Sequence, residues 1–86
     1  MYQRAPGTLA RRTPGSLVVL APRAHAPIRI SGSSVIVWDL LAEPMPATDL
    51  LVEVAQQVGV PSSAVAEDLD AALAVLLEAG AVVVTP

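Results

Sequence analysis

The longest apolar pattern in the chain runs from Val65 to Gly80 and predicts a long helix that begins at Ser62 or Ser63. Apolar side chains recur there at the spacing i, i+4, i+7, i+8 and i+11, which aligns them along one side of a helix. Additional apolar residues make this stripe wider than a small domain needs to bury, and such a surface is usually covered by another element or by a partner. The stripe comprises Val65, Leu69, Ala72, Leu73 and Leu76, and Val75, Leu77 and Ala79 widen it.

Two shorter helices are predicted ahead of this one. The first covers residues 33–41, with Ser31 as its N-terminal cap, and it ends before Pro44. Its β-branched residues would also suit a strand, so periodicity alone leaves this segment open. The second helix takes Thr48 as its N-terminal cap, and Gly59 supplies a left-handed stop at its C-terminus.

The first part of the chain predicts three strands. They cover residues 8–13, 16–21 and 28–30, and Pro14-Gly15 between the first two is the pairing that a type II turn requires. Short connections of this kind favour a three-stranded antiparallel meander, in which the first and third strands are edges.

Three strands followed by three helices, with a short turn between the last two, predict an α+β fold of the winged helix-turn-helix type. A chain of 86 residues is expected to form a single domain, residues 1–86. Residues 1–7 are expected to be a flexible tail that ends in the turn signal Pro6-Gly7. Residues 81–84 could pair as a short strand or pack over the core.

The amino-acid composition indicates the type of core and the cellular compartment. Hydrophobic residues make up 53% of the chain but aromatic residues only 2%, so the core must be aliphatic, with Trp38 as its one large anchor. The absence of cysteine removes disulfides and thiolate metal sites, and it suits a reducing compartment. No apolar run reaches the length that crosses a bilayer, and the N-terminus lacks the apolar segment of a signal peptide. A cytoplasmic protein without membrane attachment is therefore expected.

The charges divide the chain at Ser31. All five arginines precede this residue, all eight acidic residues follow it, and lysine is absent. The element order makes a winged-helix DNA-binding transcriptional regulator the alternative hypothesis, but a recognition helix needs basic or amide side chains toward the DNA. The third helix offers acidic residues instead, so we expect no nucleic-acid partner. These acidic residues are Glu67, Asp68, Asp70 and Glu78.

Catalytic constellations are missing. His25 is the only histidine and has no cysteine or second histidine to work with. Asp68 and Asp70 lie two apart on a helix, so they do not face each other. Ser33-Ser34 lacks a nucleophile-elbow context, and the isolated Gly32 cannot form a phosphate cradle. We expect no enzyme activity, no metal site and no cofactor.

The third strand is a more specific indication of function than any of these candidates, since an exposed edge can be extended by a peptide strand. Ile28 and Ile30 share one face of this strand and Arg29 takes the other. Next to an over-wide apolar helix, such an edge forms a groove with main-chain bonds on one side and apolar pockets on the other. Asp68 lies on the flank of the helical stripe, where it could pair with a basic group on a partner or with Arg29.

The apolar positions together resemble the PqqD-like family, the recognition elements of ribosomally made, post-translationally modified peptides (RiPPs). The likeness extends from about Leu9 to Val84 as a diffuse pattern. The residues that carry it are Ile30-Ser31-Gly32-Ser33-Ser34-Val35-Ile36-Val37-Trp38-Asp39-Leu40-Leu41, then Val58-Gly59-Val60, then Asp68-Leu69, Leu73, Leu76 and Gly80-Ala81-Val82.

This resemblance implies a protein that binds the leader of a precursor peptide as a strand added to the third strand, against the third helix. It also implies delivery of that peptide to a separate leader peptidase or another modifying enzyme such as a cyclase, and the stand-alone form resembles members of lasso-peptide pathways. The chain departs from the family pattern at Pro61-Ser62 and at Ala72, whose small side chain would open a pocket for an aromatic leader residue. The implied contacts are Ile28, Arg29 and Ile30 on the strand, and Val65, Asp68, Leu69, Ala72, Leu73 and Leu76 on the helix.

Overall fold

The structure is a computed structural model that describes residues 1–86. Five strands and three helices follow one another along the chain. They are β1 (Tyr2–Arg4), β2 (Leu9–Thr13), β3 (Ser16–Leu20), β4 (Ile28–Ile30), α1 (Ser33–Leu40), α2 (Ala47–Val58), α3 (Ser62–Glu78) and β5 (Val82–Val84).

The predicted meander is confirmed as an antiparallel sheet in the order β2-β3-β4, so that β2 and β4 are its edges. The connection between β2 and β3 is the two-residue turn Pro14-Gly15, and Gly15 takes the positive φ of 73° that favours glycine. The segment whose pattern left strand and helix open is the helix α1. With three helices behind this sheet, the α+β class is confirmed.

The N-terminus differs from the flexible tail predicted for residues 1–7. Tyr2–Arg4 pairs antiparallel with Val82–Val84, and the Ala5 amide donates to the Ala81 carbonyl over 2.8 Å. The two ends of the chain thus form a second, two-stranded sheet. Because this pairing joins segments at opposite ends of the sequence, no local pattern could predict it.

The starts of the helices correct two predicted caps. Gly32 occupies the N-terminal cap position of α1 and Pro46 that of α2, and neither helix has a side-chain cap hydrogen bond. Ser31 therefore lies one residue too early, and Thr48 lies within the first turn of α2. Pro61 likewise occupies the N-terminal cap position of α3. Its ring fixes φ at a value that suits the extended backbone before a helix, and no helical hydrogen bond is lost there by its lack of an N–H group.

The ends of α2 and α3 agree with the sequence. Gly59 adopts the left-handed conformation, with φ 79°, and its amide donates to the Ala55 carbonyl. Gly80 likewise has φ 76° just beyond α3. Glycine occupies both positions because the left-handed conformation that ends a helix would strain a residue with a side chain.

The core is a continuous cluster of 16 buried residues between the sheet and the helices, all of them aliphatic except Trp38, and no polar side chain is buried. Trp38 is 4% exposed, which confirms it as the anchor. Val37, Leu50 and Leu76 are fully enclosed. No helix combines the length and the apolar character needed to cross a membrane.

Candidate functional site

The apolar stripe of α3 faces the core. All five of its predicted contact residues are at most 5% exposed, so the stripe is already covered by the sheet and the other helices. Val75 and Leu77, which widen the stripe, remain 45% and 36% exposed. The buried set comprises Val65, Leu69, Ala72, Leu73 and Leu76. Two of its members also line cavities: Leu69 lines one beside α2, and Ala72 lines one beside the start of α1.

The side chains of β4 alternate as the sequence predicts. Ile30 is buried in the core, Ile28 is half-buried against it, and Arg29 is exposed on the opposite face of the sheet. The buried isoleucine fixes which face of β4 points inward, because side chains along a strand alternate between faces.

The backbone of β3 determines which groups of β4 are free. Thr13 and Ser16 are paired across a two-residue turn, and such a pair must exchange both of its N–H···O bonds. Hydrogen-bonded pairs alternate along an antiparallel ladder, so Val18 also bonds toward β2. Leu17 and Val19 therefore direct their N–H and C=O groups toward β4.

These two residues lie opposite Ile30 and Ile28, which accordingly make the ladder bonds of β4. Arg29, between them, directs its N–H and C=O away from the sheet. Neither group takes part in any other hydrogen bond of the structure. The free edge of β4 thus presents one complete donor and acceptor pair, and it belongs to Arg29.

A cavity of about 230 Å³ lies where β4 leads into α1, and one face of α3 forms its other side. The helix residues recur at i, i+3, i+4 and i+7, one position out of phase with the buried stripe. We call this cavity, between the segment that follows β4 and this face of α3, the β4–α3 groove. Its lining residues are Ser31, Ser33 and Ser34 on one side and Asp68, Ala71, Ala72 and Val75 on the other.

Ala71 and the three serines line the groove although the sequence pattern did not indicate them. Asp68 and the serine hydroxyls are the polar groups at this end of the groove. Asp68 is exposed and does not form the ion pair with Arg29 that the sequence made possible, since the one salt bridge joins Arg12 to Asp39 over 2.7 Å. A spacing of i, i+3, i+4, i+7 that starts at Asp68 was the available signal, but its alanines are too small to stand out.

One further charged side chain, Arg4 of β1, lies beside α1. Arg4 lies against Trp38, and burial lowers the pKa of its guanidinium, while Asp39 raises this pKa and Arg12 lowers it. The predicted acidic residues of α3 that point to solvent have no basic neighbour on that helix. Nowhere do three histidine or acidic side chains converge in a way that could hold a metal ion.

A small α+β domain in which a free edge strand leads into a helix-lined groove belongs to a class of domains that can accept an extended peptide. The sequence model of the family described as "Coenzyme PQQ synthesis protein D (PqqD)" matches residues 16–82, which is 67 of the 86 residues and includes β3, β4 and all three helices. The chain belongs to the PqqD family, and this membership indicates a peptide-binding accessory role in RiPP biosynthesis. No curated protein and no solved structure matches the chain significantly.

Proposed function

We propose that this protein binds the leader segment of a ribosomally synthesised precursor peptide by adding it as an antiparallel strand to β4, against α3. The bound precursor is then presented to separate processing enzymes, a leader peptidase and a cyclase, in a pathway of the lasso-peptide kind. The observation that supports this proposal most directly is the free N–H and C=O of Arg29 beside the cavity lined by α3.

The backbone geometry defines what the leader contributes. In an antiparallel pairing, one leader residue opposite Arg29 exchanges both N–H···O bonds with it. Paired residues on neighbouring strands share a face, so that leader side chain points outward with Arg29. The leader residues opposite Ile30 and Ile28 point inward, toward α3. Selectivity for the leader therefore rests on alternate residues, while the main-chain bonds supply affinity irrespective of sequence.

The predicted contact residues divide into two roles in this proposal. Arg29, Ile28, Asp68 and Ala72 border the bound strand directly, and the small side chain of Ala72 leaves room for a large leader side chain. The buried residues support the groove from below, because they fix the position of α3 against the sheet. This second set is Ile30, Val65, Leu69, Leu73 and Leu76.

Amide hydrogen exchange tests the placement of the strand. With a synthetic leader of the cognate precursor, the Arg29 amide should exchange more slowly, because its free N–H becomes hydrogen-bonded. Ala10 is a matched control on the opposite edge, since it pairs with Val19 without ladder bonds and its N–H also points outward. Binding that protects Ala10, or that leaves Arg29 unprotected, would show that the leader docks elsewhere.

A pair of substitutions at one position separates the backbone from the side chain. Arg29→Pro removes the outward N–H from an edge strand, where proline is tolerated, and should weaken leader binding at least about tenfold. Arg29→Ala keeps the N–H and should bind within about threefold of the original chain, because it removes only an exposed side chain. Proline at Ile30 would instead break a bond to Leu17 inside the sheet. Circular dichroism confirms that both Arg29 variants fold, and equal binding by the two would refute strand addition.

The DNA-binding alternative rests on the order of elements alone. The solvent-facing charges of α3 are acidic, which would repel the phosphate backbone that supplies most non-specific affinity. Fluorescence anisotropy with a labelled DNA duplex should therefore detect no binding, even at low salt, where electrostatic binding to DNA is strongest.

A further inference from the structure

A second cavity adjoins the same helix about two turns beyond the first. This cleft, of about 720 Å³, lies where the β3–β4 connection, the C-terminal end of α3 and the N-terminal segment meet. Its volume falls within the ~300–1,000 Å³ typical of sites for small ligands and side chains. Its lining is mainly alanine, proline and valine with two charged residues, and includes Pro6, Arg23, Ala24, Glu78, Ala79 and Val83.

The two cavities share one face of α3. Asp68, Ala72 and Val75 line the first cavity, and Ala79, which directly follows α3 and keeps a helical backbone, lines the second, at the spacing i, i+4, i+7 and i+11. These positions fall within about 60° of one another around a helix of 3.6 residues per turn. A straight path along α3 therefore leads from the groove into the cleft.

The direction of β4 determines which end of a bound peptide reaches the cleft. The first cavity adjoins Ser31, just after β4, and the second adjoins Ala24, ahead of β4. An antiparallel strand on β4 starts at the Ser31 end and continues toward Ala24. The residues on the C-terminal side of the bound strand are consequently the ones directed at the cleft.

We infer that the cleft is a second subsite that takes a large apolar side chain of the same peptide, C-terminal to the residues paired with β4. This inference rests on the proposed strand addition and specifies its length and polarity. The centres of the two cavities are separated by about seven helical residues, or about 11 Å. A strand covers that distance in about three to four residues, and only an even spacing keeps side chains on the inward face.

The bound peptide therefore presents two apolar side chains about four residues apart, of which the upstream one lies opposite Ile30 and the downstream one enters the cleft. Arg23 and Glu78 are both exposed at the rim of the cleft and form no salt bridge. Their side chains do not cover the apolar base of the cleft, and they place one positive and one negative charge beside it. An apolar residue with polar neighbours is the chemistry that this arrangement fits.

A library of random dodecapeptides displayed on phage provides the probe, selected against the full chain. Enriched peptides should carry two apolar positions at this spacing. For a synthetic peptide of the consensus, changing the downstream apolar residue to aspartate should weaken binding about tenfold or more, since its burial is lost. In Ala24→Trp or Ala79→Trp, which fill the cleft from opposite sides, the same change should have no effect. Ala42→Trp is the matched control outside the cleft and should behave as the original chain does.

The outcomes separate the two proposals. If Arg29→Pro abolishes binding of the enriched peptides but the downstream position shows no preference, or if its change costs the same in the filled-cleft variants, the second subsite is refuted and strand addition stands. If the enriched peptides bind Arg29→Pro undiminished, strand addition itself is refuted. An absence of enriched peptides refutes both.

Discussion

Removing the Arg4 side chain should destabilise the protein substantially, although the residue lies in a segment that looks like a tail in the sequence. The guanidinium Nε and Nη2 both donate to the Trp38 carbonyl, over 3.0 and 2.7 Å, and the guanidinium carbon lies 4.3 Å from the centroid of the Trp38 ring. This carbonyl is among the last of α1 and lacks the usual helical partner, because the Ala42 amide donates to Asp39 instead. Arg4 therefore caps the C-terminal end of α1.

The magnitude follows from these contacts. Hydrogen bonds to a charged donor contribute about 1.5–3 kcal/mol, and the cation–π contact adds about 0.5–1 kcal/mol at a site of this exposure. Because one guanidinium makes both interactions, the contributions overlap, and we expect Arg4→Ala to lower the free energy of unfolding by about 2–3 kcal/mol. The pKa of Arg4 is lowered by burial, but a guanidinium remains protonated at any pH where the protein is handled.

Urea denaturation followed by circular dichroism measures this loss without relying on Trp38, whose fluorescence the substitution itself would alter. Arg4→Lys keeps the charge but lacks the two-donor fork, so it should recover about half of the lost free energy or less. Arg11→Ala removes an exposed arginine and should change the free energy of unfolding by less than about 0.5 kcal/mol. The reasoning would be refuted by a loss below about 0.5 kcal/mol in Arg4→Ala, or by full recovery in Arg4→Lys.

Three further changes in the free energy of unfolding follow from the structure and can be measured in the same way. Leu76→Ala, at a fully enclosed position, should cost about 2–5 kcal/mol, and a cost below about 1 kcal/mol would contradict its place in the core. Gly59→Ala should cost about 1–2 kcal/mol from backbone strain alone, because no atom lies within 4 Å of the added methyl group; Gly59→Asn should cost less. Arg12→Ala removes a salt bridge to Asp39 that is exposed at both partners and should cost less than about 1 kcal/mol, with no measurable cost in high salt.

The elements that the sequence predicted well are those whose signals are local. Alternation around Ile30 and the turn at Pro14-Gly15 indicate the sheet, and the spacing of apolar residues indicates α3 with an end near Gly80. The caps were wrong where two local signals competed. At the start of α2, Thr48 has the better capping side chain, but Pro46 already sets the extended backbone from which the helix begins.

The pairing of the two chain ends could not be predicted, because neither Tyr2–Arg4 nor Val82–Val84 shows on its own which strand it will join. The lining of the β4–α3 groove was missed in part for a related reason. An apolar stripe along a helix indicates which side chains the helix buries, and the stripe of α3 packs in the core of the domain. The row beside it includes the exposed Ala71, whose side chain is too small to stand out in hydropathy.

A comparison of the two edges of the sheet explains why the proposed site lies on β4 although the other edge is longer. The β2 edge is longer and presents two outward backbone pairs, at Ala10 and Arg12, against one on β4. Main-chain bonds alone would therefore favour β2, but they do not distinguish one peptide from another. Selectivity requires pockets for the inward side chains, and the cavity that β2 lines, of about 320 Å³, contains the charged Arg12 side chain, which is bonded to Asp39 of α1. The cavity just beyond the C-terminal end of β4 is bounded instead by α3 and by three serines, so a peptide that binds along β4 can be recognised by its side chains.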